Sequence, residues 1–488
     1  MSTPRIVDQY GQPIPTARER AAVAARMKLR TQLQASYDAA QITAETSKHW
    51  RFADHLAPQL ANSLSVRRTL RSRSRYECLE SNSFANGIVK TLANDFVTTG
   101  PGLQVLLEDE QLARRVEKHW KQWCKQVKLP AKLRTARLAK CVDGEAFILA
   151  STNPKLKGRV KLDIRLVECD QISSPNWSDG ALDPNAVDGI KFDESGNPIE
   201  YHLLRSHPGD NRNFRNDDYD PISPEYVIHL YQVLRPGQAR GVPEVTPALP
   251  LFAMLRRYTL ATLLAAETAA DFAIVLKTMA NAFSEDGHQP QNPFESVDID
   301  RGMMTALPYG YEMQQMKAEQ PTTTYEIFRN AILQEIARCI HMPTNKARGD
   351  SSGYNYSSAR LDHQIYYHAI DVERADWESE CLDRIFVWWL AEAVYAIPGL
   401  SLSMIDEIDG LPHKWTWQPV ISVNPLQDAQ AAVMLRDAGL LTERDYFMQN
   451  QIDPEQQWVQ LTKEFAERAA RISAIAAAQQ IGQLGTAS

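Results

Sequence analysis

The sequence predicts an α+β protein, and three observations carry that prediction. Long stretches place apolar residues three and four positions apart, the period of a helix face. Between residues 97 and 231, short apolar runs alternate with polar residues, the period of a strand. Glycine and proline clusters punctuate the two kinds of segment. At 488 residues the chain is long enough to bury two or three cores.

Taken in order, Thr16 to Met27 is rich in alanine and arginine and reads as helix, while Gly11 to Pro15 reads as loop. Residues 1–60 form a weakly tethered N-terminal arm, of the kind a partner orders. Leu64 to Val97 begins as a basic helix, with five arginines between Val66 and Arg75. It continues as an apolar one, with Phe84, Ile88, Leu92 and Phe96 each four apart. Gly100 to Gly102 ends it. Leu103 to Leu107 is a short strand. Leu112 to Val127 is a helix that buries Trp120 and Trp123, and Leu129 to Ala139 continues as helix. Strands follow at Ala146–Ala150, Val160–Val167, Gly189–Phe192, Ile199–Leu204 and Tyr226–Tyr231. Val160, Leu162, Ile164 and Leu166 share one face, and Asp193 to Asn197 is a hairpin turn. Residues 206–223 are a polar surface loop.

Arg235 to Pro243 is a turn-rich hinge. Thr246 to Lys277 is a long helix whose alanine-rich part, 261–270, allows close helix approach. Asn281 to Asp300 projects as a polar loop, with short strands at Met303–Leu307 and Tyr311–Met316. The next helix opens at Thr323, with Glu326 three residues on as a reciprocal cap. Tyr325, Phe328, Ile332, Ile336 and Ile340 line one face, and Pro343 stops it. Thr344 to Tyr356 is polar, with two glycines and the cations Lys346 and Arg348. It reads as a loop presented to the surface. Asn355 or Ser357 caps the following helix. That helix carries Leu361, Ile365, Ala369, Val372, Trp377, Cys381 and Ile385 with no breaker before Pro398, roughly 60 Å of rod. Pro398 to Val423 is strand-like. Helices at Asp428–Gly439, Thr442–Gln449 and Pro454–Gln480 close the chain.

Composition excludes several classes. No charge-free apolar run reaches the length of a membrane span. The N-terminus lacks the apolar core of a secretory signal. Six scattered cysteines without a C-x-x-C suit reduced thiols in a cytoplasm. The sequons at Asn176 and Asn355 therefore have no secretory context. With 53 basic and 60 acidic residues the net charge is −7, unlike a tight sequence-independent nucleic-acid binder. The arginines of 67–75 leave a nucleic-acid-binding scaffold as one alternative, against a solvated charged arm. Gly349 to Gly353 matches G-x-S-x-G and leaves a second alternative, a serine hydrolase using Ser351. That motif works when a strand precedes the serine, and here a helix and Pro343 do. There is no phosphate loop and no zinc spacing, and His363 and His368 read as surface or packing residues. No catalytic residue, cofactor or metal is expected.

Several signatures occur in one order between about Arg67 and Glu464. They are the basic run Arg71 to Arg75 followed by Asn82 to Gly87, and Gly144 with Glu145. Next come His229 to Tyr231 with Arg235 to Pro243, Gly302 with Leu307 to Gly310, and Asn355 to Arg360. Asn424 and Pro425 with Asp428, then Gly439 to Thr442, complete the set. In this order they resemble the portal protein family of tailed bacteriophages, in its lambda-type branch, with Ser83 where proline is usual. The resemblance implies a portal-type fold assembled as a cyclic homo-oligomeric ring, a dodecamer, without enzymatic activity. It implies a wing (60–245, returning at 357–423), stem helices (246–277 and 324–342), a clip (278–323), a tunnel loop (343–356) and a helical crown (424–488). Asn345, Lys346, Arg348, Asn355 and Tyr356 would border the DNA channel. Arg71, Arg73, Arg75, Arg235 and Arg240 would make subunit or partner contacts. The implied partners are the terminase large subunit, major capsid and scaffold proteins, a head-tail adaptor, and double-stranded DNA passing without sequence readout. The implied place is the virion's portal vertex, after assembly in the host bacterial cytoplasm. Physically, a conduit must not hold its cargo: an acidic ring repels the duplex, while a few cations at the narrowest point touch phosphates.

Overall fold

The computed structural model describes residues 17–34, 48, 51, 53, 55–174, 186–210, 219–271, 275–278, 311–314, 322–406, 410–418, 425–450, 452 and 454–485. Two units divide the chain, residues 1–60 and 61–488. In the first, α1 spans Ala17–Gln34, where the alanine- and arginine-rich run predicts helix. A single turn, α2, covers Pro58–Ala61, where the chain passes from the first unit to the second.

The second unit begins with α3 (Leu64–Arg75), a π turn over Tyr76–Ser81, and α4 (Ser83–Val97). Asn82 caps α4 by accepting from the amides of Phe84 and Ala85. The expected stripe holds: Ile88, Leu92 and Phe96 are buried, with Phe84 half-buried beside them. Strand β1 (Gly102–Val105), α5 (Glu110–Val127) and α6 (Leu129–Asp143) follow. Then come β2 (Glu145–Thr152), β3 (Leu162–Val167), β4 (Ala186–Val187), β5 (Ile190–Phe192), β6 (Pro198–Leu204), β7 (Tyr219–Ile222) and β8 (Val227–Tyr231).

Strand β2 is central in an antiparallel sheet ordered β3-β2-β8, with Phe147 opposite both Val167 and His229. Its period-2 alternation serves two cores. Ala146 and Ile148 face a large core formed with α4, α5 and α6, whereas Phe147 and Leu149 face a smaller one with Ile172, Ile190 and Tyr201. A second sheet, β4-β5-β6-β7, carries the expected Asp193–Asn197 turn between β5 and β6.

Helix α7 (Leu249–Asp271) leads to β9 (Val275–Thr278), paired antiparallel with β10 (Tyr311–Gln314). This corrects the helix expected through Lys277. A short apolar run fits either period, and here a partner strand decides. The expected projecting loop at 281–300 and the strand at 303–307 lie outside the described residues. Helix α8 (Thr322–Cys339) returns beside α7, with Tyr258 stacked on Tyr325 at 5.5 Å and Thr259 Oγ1 3.1 Å from the Tyr325 hydroxyl.

After α9 (Thr344–Arg348), α10 (Tyr356–Trp377) runs through a π turn at Glu378–Leu382 into α11 (Asp383–Ala393). The long unbroken rod is therefore present, with one local widening. Its second half builds the aromatic centre of the large core. Trp120 lies 5.3 Å from Trp389, 5.4 Å from Phe386 and 5.7 Å from Trp415. Trp415 sits on β11 (His413–Thr416), which pairs with β1. Helices α12 (Pro425–Asp437), α13 (Glu443–Gln449) and α14 (Pro454–Gly485) end the chain. All six cysteines are free, and no described helix is long and apolar enough to cross a membrane.

Candidate nucleic-acid interface

The polar stretch between α8 and α10 is the candidate site. Helix α8 closes with the amide of Met342 donating to the Ala337 carbonyl (3.0 Å) and that of His341 to Arg338 (3.3 Å). His341 takes the left-handed conformation, φ 57°, that usually belongs to glycine there. Pro343 then starts α9, and Gly349, φ 67°, ends it. Asp350 folds the next turn by accepting from the Ser352 amide and hydroxyl, both at 2.8 Å. Asn355 caps α10 through the amide of Ser357.

The stretch is docked, which corrects the expectation of a wholly irregular, presented loop. Ala347 is buried, and Lys346 is seated against the body. Its Nζ lies 2.5 Å from Asp95 Oδ2 on α4 and 2.8 Å from the Tyr367 hydroxyl on α10. The ammonium also stands 5.1 and 4.9 Å from the ring centres of Tyr366 and Tyr367. Burial disfavours the charge, but the bonds to Asp95 and Tyr367 outweigh it and raise the Lys346 pKa. The sequence missed this seat because Asp95 lies 251 positions away.

The other expected channel residues divide. Arg348 donates to Asp350 within the stretch at 3.1 Å. Asn345 reaches Ser351 Oγ (3.4 Å) and His363 Nε2 (3.2 Å). Asn355 is exposed, and the Tyr356 side chain lies outside the described residues. Ser351 follows a helix rather than a strand, and its hydroxyl bonds to Asn345 rather than to a histidine. The nucleophile geometry of G-x-S-x-G is therefore not formed.

The expected arginine contacts change more. Arg67, Arg71 and Arg75 recur every four residues on α3, and that face turns inward. Arg71 pairs with Glu145 and donates to Asp170 at 3.0 Å. Arg75 bonds Asp143 at 2.6 Å and Asp170 at 2.9 Å, and Arg67 pairs with Asp188. Arg240 meets Glu145 at 2.6 and 2.9 Å, and the His229 ring lies 2.9 Å from the same carboxylate. Arg71 thus ties α3, and Arg240 the 235–243 turn, to Glu145 on β2, while Arg75 ties α3 to Asp143 and Asp170. Of the five, Arg73 and Arg235 are exposed. The same geometry weakens the nucleic-acid scaffold reading of 67–75, three of whose five charges, Arg67, Arg71 and Arg75, are paired internally. It also explains two glycines. A Cβ on Gly144 would stand 2.3 Å from the Val242 carbonyl carbon, and one on Gly241 would stand 2.1 Å from the Gly144 oxygen. The two backbones cross at contact, which brings Arg240 onto Glu145.

Glu168, Asp170 and His207 come within 4.8 Å of one another, but Arg71 and Arg75 already neutralise the two acids. A cleft of about 900 Å³ between α6, β8 and α10 has the ion pairs of Arg137 and Lys140 with Glu244 and Glu373 on its wall. Each of these charges is matched by an opposite one, and burial pushes the Cys339 thiol on the same wall up from its ordinary pKa.

One further feature is geometric. Of the α7 residues from 256 to 267 none is buried, and of α8 none from 325 to 331 is buried. Burial resumes at Leu255 on one helix and Ile332 on the other. The two helices thus leave the core as an antiparallel pair, with Leu260, Leu263 and Ile327 exposed along it.

The chain is similar to several known proteins. A family model described as phage portal protein, lambda family, matches residues 45–374. The probable portal protein of Halomonas phage phiHAP-1 is 25% identical over 401 residues, covering 75% of this chain and 73% of that protein. Portal protein B of Escherichia phage lambda is 21% identical over 361 residues, covering 67% of each. Among solved structures, a chain from the neck of a native GTA particle, computed with C12 symmetry, matches with TM-score 0.46 and 12% identity. It covers 79% of this chain and 94% of that one. A chain from the virion of a native gene transfer agent particle matches with TM-score 0.42 and 12% identity, covering 80% and 100%.

Proposed function

Because the chain belongs to the lambda family of phage portal proteins, we propose that copies of it close into a cyclic ring at one vertex of a phage capsid, and that double-stranded DNA passes through its centre in packaging and ejection. The observation that carries this reading is the family match across residues 45–374. The α7–α8 pair supports it. A head-to-tail cyclic interface needs a surface that its own chain does not cover, and the exposed apolar residues of the pair supply one.

In this reading the pair is the stem (246–277 and 324–342), with the clip at 278–323 between its helices. The body at 60–245 and 357–423 is the wing, and 424–488 is the crown. The stretch 343–356 borders the channel. There Asn345, Arg348, Asn355 and Tyr356 touch phosphates without reading bases, and Lys346 joins them when unseated. A net charge of −7 per chain, repeated round the ring, keeps the duplex from sticking. The clip meets the terminase large subunit and later the head-tail adaptor, and the wing meets capsid and scaffold proteins. The ring carries out no reaction of its own.

Electron microscopy of the purified full chain tests the reading. Class averages are expected to show closed dodecameric rings with a central opening. Only monomers and dimers at every salt concentration would overturn it.

A further inference from the structure

The two cations of the candidate loop are held in different ways. Arg348 is paired with Asp350, two residues on, so that pair travels wherever the loop goes. Lys346 is paired with Asp95, on a helix of the body. The Asp95 carboxylate is itself fixed, because the Tyr366 hydroxyl donates to the same oxygen at 3.0 Å. Its backbone is fixed too: Arg374 donates from Nη2 to the Asp95 carbonyl and from Nε to that of Phe96, both at 3.0 Å. Helix α9 has five residues, too few to be stable without such an anchor.

We propose that Asp95 is the positioning residue of this loop: it seats Lys346 away from the channel, and a DNA phosphate is the anion that replaces it. The proposal rests on the channel reading given above. A carboxylate and a phosphate present the same kind of acceptor to an ammonium, which donates three hydrogen bonds in any direction. The exchange is open to solvent, since the Lys346 and Asp95 side chains are 19% and 24% exposed. While seated, the loop offers the duplex a neutral Arg348–Asp350 pair and uncharged polar groups. Unseated, it offers one more cation. Asp95 therefore sets how strongly each subunit grips the passing backbone, which a conduit must keep weak.

The test uses the full-length assembly and a short DNA duplex across a salt series, with trypsin cleavage after Arg348 as a second readout. Asp95→Asn is expected to bind the duplex about tenfold more tightly at low salt, and to steepen the salt dependence by about 0.9 per engaged lysine. It should also speed cleavage. Asp95→Glu should behave as wild type in both, and adding Lys346→Met to Asp95→Asn should remove the gain in binding. If Asp95→Asn does not fold, Tyr367→Phe removes one bond of the seat and should move both readouts in the same direction by less. A folded Asp95→Asn with wild-type cleavage, alongside duplex binding that falls in Arg348→Ala, would overturn the proposal and leave the channel reading standing. Faster cleavage with no duplex binding by any variant would overturn the channel reading, leaving Asp95 as the residue that seats the loop.

Discussion

Glu145 is fully buried on β2, where burial alone would raise its pKa; Arg240, Arg71 and the His229 hydrogen bond overcome this and hold the carboxyl well below its ordinary 4.5. A depressed carboxyl contributes stability that is complete above its unfolded-state pKa and is lost as pH falls towards the folded one. The contribution is therefore whole at pH 7 and erodes below about pH 4.5, by up to about 1.4 kcal/mol per pH unit. Glu145→Gln should lower stability at pH 7 by about 3–5 kcal/mol, because it leaves two guanidinium groups buried without their shared anion. Unfolding midpoints of both proteins at pH 7 and pH 4 check this: the gap should narrow at pH 4. An equal gap at both would show that the folded protein does not hold the Glu145 carboxyl below its unfolded-state value. Little of this was legible in the sequence. Glu145 stood out only as half of a two-residue signature, and its arginine partners are 74 and 95 positions away. The arginines of 67–75 read as one basic run, and nothing local told which of them met carboxylates and which met water.

At the scale of elements, period and caps were the reliable signals. The α4 stripe, the alternation of β3, the Asn355 cap and the rod of α10 and α11 all follow from residues near in sequence. Departures occur where the deciding partner is distant or the signal is missing. The π turns at Tyr76–Ser81 and Glu378–Leu382 contain no proline or glycine to announce them. β9 is a strand because β10 pairs with it. The end of α8 is marked in sequence by Pro343, yet the chain turns two residues earlier, at His341. A left-handed residue with a Cβ is strained by about 1–2 kcal/mol, and glycine would relieve that at a smaller entropic cost. His341→Gly should thus raise stability by about 0.5 kcal/mol, and His341→Val should lower it by about 1 kcal/mol. Chemical denaturation of the variants reads both. A destabilised His341→Gly would show that the imidazole makes a favourable contact outweighing the backbone strain.

At the scale of the whole molecule, one end of the α7–α8 pair is packed in the core and the other end is not. Phe252 and Leu255 on α7, with Leu333 and Ile336 on α8, are buried in the large core. Beyond them Leu260 and Leu263 are 58% and 56% exposed, and Ile327 is 70% exposed. The exposed apolar residues of the pair are the surface that the proposed ring would cover. The alanine-rich run was the visible hint of this in the sequence, since small side chains allow close approach. That the pair leaves the core at Leu255 and Ile332 was not visible, because the apolar period continues past both. The argument separates folding from assembly. A charge at Leu260 or Leu263 touches no core residue, so Leu260→Glu with Leu263→Glu should change the stability of one chain by less than about 1 kcal/mol. The same charges, repeated at every interface, would be desolvated against the adjacent subunit, each at several kcal/mol if unpaired. Sedimentation velocity should then show small species in place of rings, with the thermal unfolding of the chain near wild type. Rings that persist with both glutamates in place would move the proposed contact off this face of α7, and the apolar residues there would need a different partner.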